Sequence, residues 1–341
     1  MTQLSPSAVY IRDAMDRLPA ALSGALEVPL PTLTEPVRRV LSTGIGLSEG
    51  PARLLASLLV DAGVCARFCV TSQVAEESRS GDLLVVFSQG LSPNARLALA
   101  SETCVAARWL VTSIDPTRAE PAHAQVLQGC LARGVRPIVV PPAVESGTLV
   151  RLVGPTVAAL VAMRLAASIS ADTALAEQLA RAPQCYRALP RAGGLDDAAL
   201  ALVAVGMQPE WLHPQRWKVL ETLLRDDPPV WEVLQFAHGP LQAFYERRLT
   251  LLVFEALATP TPGSSTAPSA LVERLERTLH PTRHRLLRVS SRLPPALAFF
   301  EHSATLDALL LEAVQARGRD LFEWPARDGD GPLYELGNGS P

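Results

Sequence analysis

The stretch RVLSTGIGLSEGPARLLASLLVDA, Arg39–Ala62, decides the fold. A run of strand length, Arg39–Thr43, enters a glycine-bearing turn, and an apolar helical pattern, Gly50–Ala62, follows. Glycine lets the chain turn sharply from strand to helix, and the start of the helix then offers free N–H groups to an anion or a hydroxyl. The same unit recurs. Strands are predicted at Ala66–Val70, Asp82–Phe87, Trp109–Ser113 and Pro137–Val140, with helices at Pro93–Glu102, Ala122–Arg133 and Thr148–Ser168. Short apolar runs alternating with longer helical patterns define parallel α/β units, and one doubly wound unit accounts for residues 30–170.

A helix over Ser170–Arg187 is predicted to cross to a second unit, and Arg191-Ala-Gly-Gly-Leu is a turn-rich break. Beyond it the pattern predicts a strand at Ala199–Gly206, a helix at Pro214–Leu224, strands at Leu249–Ala256 and Arg285–Ser290 flanking a helix at Ala270–His280, and a helix at Ser303–Ala316. The Pro/Ser/Thr-rich segment Ala258–Pro268 reads as an exposed loop. The fold class expected is therefore α/β: two tandem units, each a mainly parallel sheet flanked by helices. Residues 1–29 form an N-terminal helical segment, 30–190 the first unit, and 191–341 the second with a C-terminal tail.

Composition narrows the function classes. With 341 residues, 48% hydrophobic and 19% charged, the chain has room for two α/β domains and is neither disordered nor fibrous. A formal charge of −3 with scattered arginines leaves no footprint for nucleic acid or an anionic membrane, and neither partner is expected. The N-terminal MTQLSPSAVYIRDAMDRL has no basic segment followed by an apolar core, so a cytoplasmic protein is expected. The longest apolar run, Val157–Ile169, is broken by Arg164, is too short for a bilayer and reads as a buried helix. Five scattered cysteines read mostly as reduced core residues. The CxxxC of Cys65 and Cys69 lacks a second Cys/His pair to complete a zinc set, so no metal is expected.

Four segments can carry chemistry. Gly44, Gly46 and Ser48 lie in a GxGxSxG turn, which falls short of GxGxxG. The next strand is followed by Thr71 and Ser72 where a dinucleotide site needs an acidic residue, so no nicotinamide cofactor is expected. In Ser88-Gln89-Gly90-Leu91-Ser92-Pro93, hydroxyls and N–H groups at a helix start can hold an anion, while Ser92 before Pro93 also reads as a plain N-cap. Glu145 is either a ligand-facing carboxylate or an acidic residue favoured near a helix N-terminus. Glu221 adjoins an apolar stripe of Trp217, Leu220 and Leu224, where partial desolvation raises a carboxyl pKa toward that of a general base. His238 follows 17 residues later in a His-Gly-Pro turn. The competing view is a surface glutamate and a capping histidine. His280 and His284 are separated by Pro281, which forbids the continuous helix an i,i+4 metal pair requires, and His302 is read as preceding a helix, either as its cap or as a residue reaching the cleft.

The segment Glu221–Pro240, ETLLRDDPPVWEVLQFAHGP, together with these loops, resembles the sugar isomerase (SIS) family. Within it, the likeness is to the glucosamine-6-phosphate synthase isomerase and fructosamine-6-phosphate deglycase branches. The resemblance implies that Glu221 moves a proton between C1 and C2 of a sugar and that His238 serves a ring or leaving-group heteroatom. It further implies that Gly44, Gly46 and Ser48 form a sugar-binding turn, that Ser88, Gln89, Gly90 and Ser92 form a phosphate loop, and that Glu145 lines the site. A homodimer with shared active sites and a small-molecule sugar ligand follow, with no cofactor. The chain departs from the family in two ways. The phosphate loop is usually Ser-x-Ser-Gly-x-Ser/Thr; here one residue is deleted and the central serine lost, so weaker phosphate binding is expected. The only lysine is Lys218, and the tail at Trp324–Gly331 lacks the lysine of the synthase branch. A glutaminase segment is also lacking, so amination from glutamine is not expected. The expectation is an enzyme of aldose/ketose isomerisation, deglycation or deamination on a sugar, amino sugar or sugar-amine adduct; the alternative is a non-catalytic sugar or sugar-phosphate sensor.

Overall fold

The computed structural model describes residues 3–33, 36–100, 105–117, 121–141, 145, 147–225, 227–257, 268–327 and 329. Two compact units divide the chain. One holds Ala20–Ala180 and the chain from Glu323; the other holds the chain up to Pro19 and Arg181–Phe322. The first helix, α1 (Pro6–Leu26), starts in the latter and ends in the former.

The Ala20–Ala180 unit runs β1 (Arg39–Gly44), α2 (Glu49–Asp61), β2 (Ala66–Phe68), α3 (Val74–Glu77), β3 (Asp82–Phe87), α4 (Pro93–Ala100), β4 (Ala107–Thr112), α5 (Pro121–Ala132), β5 (Val135–Val139), α6 (Val153–Ser170) and α7 (Thr173–Leu179). Its strands are parallel in the order β2-β1-β3-β4-β5. Strand β3 is buried at every position, as a central parallel strand covered on both faces must be, which is why it reads as an unbroken apolar run. Leu41, Leu84, Val86 and Leu110 pack on Ala95 and Leu99 of α4 and Leu127 of α5. Helices α2 and α6 pack on one another, α2 lying against β1. The strand order reverses between β1 and β3, and in such sheets ligands bind outside the carboxyl ends of the strands at that switch point.

The second unit runs α8 (Ala182–Cys185), β6 (Ala199–Val205), α9 (His213–Leu223), β7 (Val230–Glu232), α10 (Val233–Ala237), α11 (Pro240–Phe244), β8 (Leu249–Ala256), α12 (Pro268–Thr278), β9 (His284–Ser291) and α13 (Pro295–Arg317). Its parallel order, β7-β6-β8-β9, repeats the start of the first sheet. The period-2 alternation of strands divides the core. Leu200, Leu202 and Ala204 face α9 and α13, whereas Ala201, Val203 and Val205 face α10, α11 and α12. Two parallel sheets flanked by helices are thus the fold the sequence predicts.

Several boundaries differ. The predicted crossing helix is broken into α7 and α8, α6 ending at Ala171 in a left-handed conformation (φ 56°). Helix α6 starts at Val153 rather than Thr148, and α13 starts at Pro295 rather than Ser303. Strand β7 and helices α10 and α11 were not foreseen. The predicted loop at 258–267 lies outside the described residues. Helix α6 is 18 residues long and by length and composition could cross a membrane, so the apolar run is longer than the sequence suggested. Most of it is buried in the core, and Arg164 within it donates to the carbonyls of Ala25 (2.5 Å) and Val28 (3.0 Å). Cys69, Cys130 and Cys185 are buried free thiols and Cys65 is an exposed one. Burial, helped by Glu77, pushes the Cys69 thiol up to about 11, which makes it a poor nucleophile.

His302 lies inside α13, not before it, and is fully buried, with Nε2 3.0 Å from the Glu255 carbonyl, to which it donates. Burial lowers its pKa to about 4 from 6.5, so the folded protein keeps it neutral. The unfolded chain takes up this proton first as the pH falls. The His302 contribution is therefore complete above the unfolded pKa and is lost on acidification toward the folded one. Denaturant titrations should show about 2 kcal/mol less stability at pH 5 than at pH 7 from this residue. The loss should shrink in a His302→Gln protein; an identical acid profile in that variant would rule His302 out.

Candidate active site

At the switch point Gly44, the last residue of β1, lies opposite Phe87, the last of β3, so the two glycine-bearing loops leave the sheet side by side. Gly44 is required for space: an added Cβ would collide with the Ser48 backbone carbonyl, which folds back against it. Gly46 is required for conformation, with φ +58° in the 3₁₀ turn Gly46–Ser48. Ser48 precedes α2 but makes no capping bond with its side chain, which leaves its hydroxyl to other use. This turn packs on α6.

In the second loop the Ser88 N–H donates to the Val111 carbonyl (3.0 Å), and Ser88 Oγ accepts from Ser92 N (3.2 Å). Ser92 Oγ accepts from Ala95 N at 3.4 Å, so it serves as the cap of α4. The Gln89 carbonyl accepts from Thr112 Oγ1 (3.1 Å) and Ser113 N (3.0 Å), pinning the loop to the end of β4. Positive φ falls on buried Leu91 (φ 49°) and not on Gly90, at a cost of about 1–2 kcal/mol for a branched residue. The Gln89 amide sits against the Cα of Gly154, where a Cβ would collide with it, and its Oε1 accepts from Arg151 Nη1 at 3.4 Å.

Glu145 is buried, and its carboxylate accepts from the N–H groups of Leu152 (2.5 Å), Val153 (2.7 Å) and Gly154 (3.0 Å) at the start of α6. Its charge stabilises that helix end. Gly44, Gly46, Ser48, Ser88, Gln89, Gly90, Ser92 and Glu145 thus belong to one unit, around the β1/β3 switch point and the start of α6. Arg151 is a residue the sequence reading missed.

Glu221 and His238 belong to the other unit. Glu221 is half-buried in the last turn of α9, but the buried face of that helix is Gln215, Lys218, Val219, Thr222 and Leu223. Trp217 and Leu220 are only half-buried and Leu224 is exposed, which corrects the predicted stripe. His238 is exposed at the end of α10, ahead of Gly239 at φ +113° and Pro240 at the start of α11. Helices α9 and α10 cover opposite faces of the sheet. Moreover α9 carries the chain back toward the amino edge of β7, while His238 follows the carboxyl edge of that strand. One chain therefore sets these two residues at opposite ends and on opposite faces of its own second sheet.

A polar cluster lies behind Glu221. Lys218 Nζ donates to Ser303 Oγ (2.7 Å) and to both carboxylate oxygens of Asp307 (3.0 Å each), and the Tyr186 hydroxyl donates to Asp307 Oδ2 (2.7 Å). Lys218 and Asp307 are both buried.

This architecture is the tandem sugar-isomerase fold. Among solved structures the chain is similar to the C-terminal domain of glucosamine-fructose-6-phosphate aminotransferase from Francisella tularensis, at TM-score 0.65 and 13% identity over 92% of this chain and 97% of that one. It is similar also to glucosamine-6-phosphate deaminase from Thermotoga maritima, at TM-score 0.66 and 16% identity over 92% and 97%. A third likeness is to tagatose-6-phosphate ketose/aldose isomerase from Escherichia coli, at TM-score 0.63 and 14% identity over 95% and 98%. No family model and no curated protein sequence matches.

Proposed function

We propose that the chain is a SIS-type enzyme that moves a proton between C1 and C2 of a sugar, amino sugar or sugar-amine adduct, in isomerisation, deglycation or deamination. The carrying observation is that the two polar loops singled out in the sequence meet at the β1/β3 switch point of a fold whose solved examples include sugar-phosphate enzymes. In this reading Glu221 abstracts the proton α to the carbonyl or iminium carbon, and His238 is the acid at the neighbouring oxygen or nitrogen. Ser48 and the Ser88–Ser92 turn orient the polyol. The location is cytoplasmic. Aldoses, ketoses and fructosamines, each with and without phosphate, should be incubated with the protein in deuterated water. Exchange at C1 or C2 of at least one is expected, and absence of exchange across the set refutes the enzyme and leaves the sensor.

The separation of Glu221 from His238 within one chain supports a homodimer in which each site takes its histidine from the partner copy. Mixing inactive Glu221→Gln and His238→Ala proteins is then expected to restore part of the activity, because one hybrid site is intact. Mixed dimers that form and stay inactive would sink the shared site.

A further inference from the structure

The loop lacks its central serine between Gln89 and Gly90, and the bare Cα of Gly90 faces the guanidinium of Arg151. A Cβ at Gly90 would lie 3.5 Å from Nη1 and 3.9 Å from Nη2. A guanidinium keeps its charge and carries five N–H donors in a planar fork. Here one of them makes a long bond to Gln89 Oε1 (3.4 Å), and among the described residues no carboxylate pairs with Arg151. Several other groups of this corner are already engaged. Glu145 takes the first N–H groups of α6, Ser92 caps α4, and Arg96 donates to the Leu91 carbonyl at 3.3 Å.

The geometry points to Arg151 as the residue that holds a terminal oxyanion of the substrate, in place of the lost serine hydroxyl. The substrate class is then a sugar that carries a phosphate or a carboxylate. A charged fork offsets the missing donor, so the weaker phosphate binding expected from the loop sequence is reversed. Gly154 and Gln89 complete the arrangement: the glycine admits the amide, and the amide steadies the guanidinium. This inference rests on the sugar-enzyme reading.

Calorimetry on the full chain, with inorganic phosphate, glucose 6-phosphate, glucuronate and glucose as probes, tests it. Glucose 6-phosphate or glucuronate should bind tighter than glucose, and whichever wins identifies the oxyanion; inorganic phosphate alone reports the phosphate arm. Arg151→Ala should weaken anion binding ~10- to 100-fold and leave glucose unchanged. Arg151→Lys should fall between, since a point charge keeps attraction but loses the fork. Unchanged anion affinity in Arg151→Ala, glucose binding as tightly as its 6-phosphate, or no binding of any anion overturns the proposal. Deuterium exchange on neutral sugars alone would sink Arg151 while keeping the enzyme. Arg151-dependent phosphate binding without exchange on any sugar would do the converse.

Discussion

Replacing Glu221 by Gln is expected to lower turnover ~10²- to 10⁴-fold, the usual contribution of a positioned general base. The amide keeps the size and the polar character of the side chain, and position 221 is only half-buried, so fold and ligand affinity should persist. The expected signature is a fall in kcat with KM little changed, and loss of solvent exchange at C2 of the bound sugar. Wild-type turnover in this variant would remove Glu221 from the chemistry.

The largest stability effect is expected at Lys218. It and Asp307 are shielded from water, so truncating the lysine leaves a buried carboxylate without its cation, the Tyr186 hydroxyl still donating to it. Breaking a buried pair from one side costs about 3–5 kcal/mol. Lys218→Ala should lose that much in denaturant unfolding, and a Lys218→Met/Asp307→Leu double variant should recover most of it, because apolar replacement of both partners removes the uncompensated charge. A single-variant loss below about 1 kcal/mol would mean the pair is solvated.

The strands were legible where burial on both faces leaves an unbroken apolar run: Asp82–Phe87 and Leu249–Ala256 are observed from end to end as predicted. Strand β7 was not, since Val230–Glu232 is three half-buried residues at a sheet edge, too short to show a period. The start of α13 was not legible because Pro295–Phe300 is a short apolar run behind Pro294, and such a run does not by its period tell a buried helix from a strand. Glu301, His302, Ser303, Thr305 and Asp307 look like surface residues, yet each is buried and partnered, Glu301 by Arg187 and Ser291, Thr305 by the Leu189 N–H. The same seam misled the stripe on α9, whose buried face is partly polar. For the site, strand–glycine–helix turns have local signatures and could be read. Arg151 meets Gln89 across 62 residues of sequence, and an arginine before a helix carries no mark of where its guanidinium will land.

The seam between α9 and α13 has one more consequence. Lys218 is the only lysine of the chain, so burying it leaves the folded surface with no ε-amine. Reducing sugars damage proteins by condensing with such amines, and a protein that works among them in the manner proposed exposes no lysine side chain to its own substrates. The arrangement also supplies a built-in reporter. An amine-acylating reagent can reach Lys218 only when α9 and α13 part, so the rate at which that one site takes up label counts the openings of the native state.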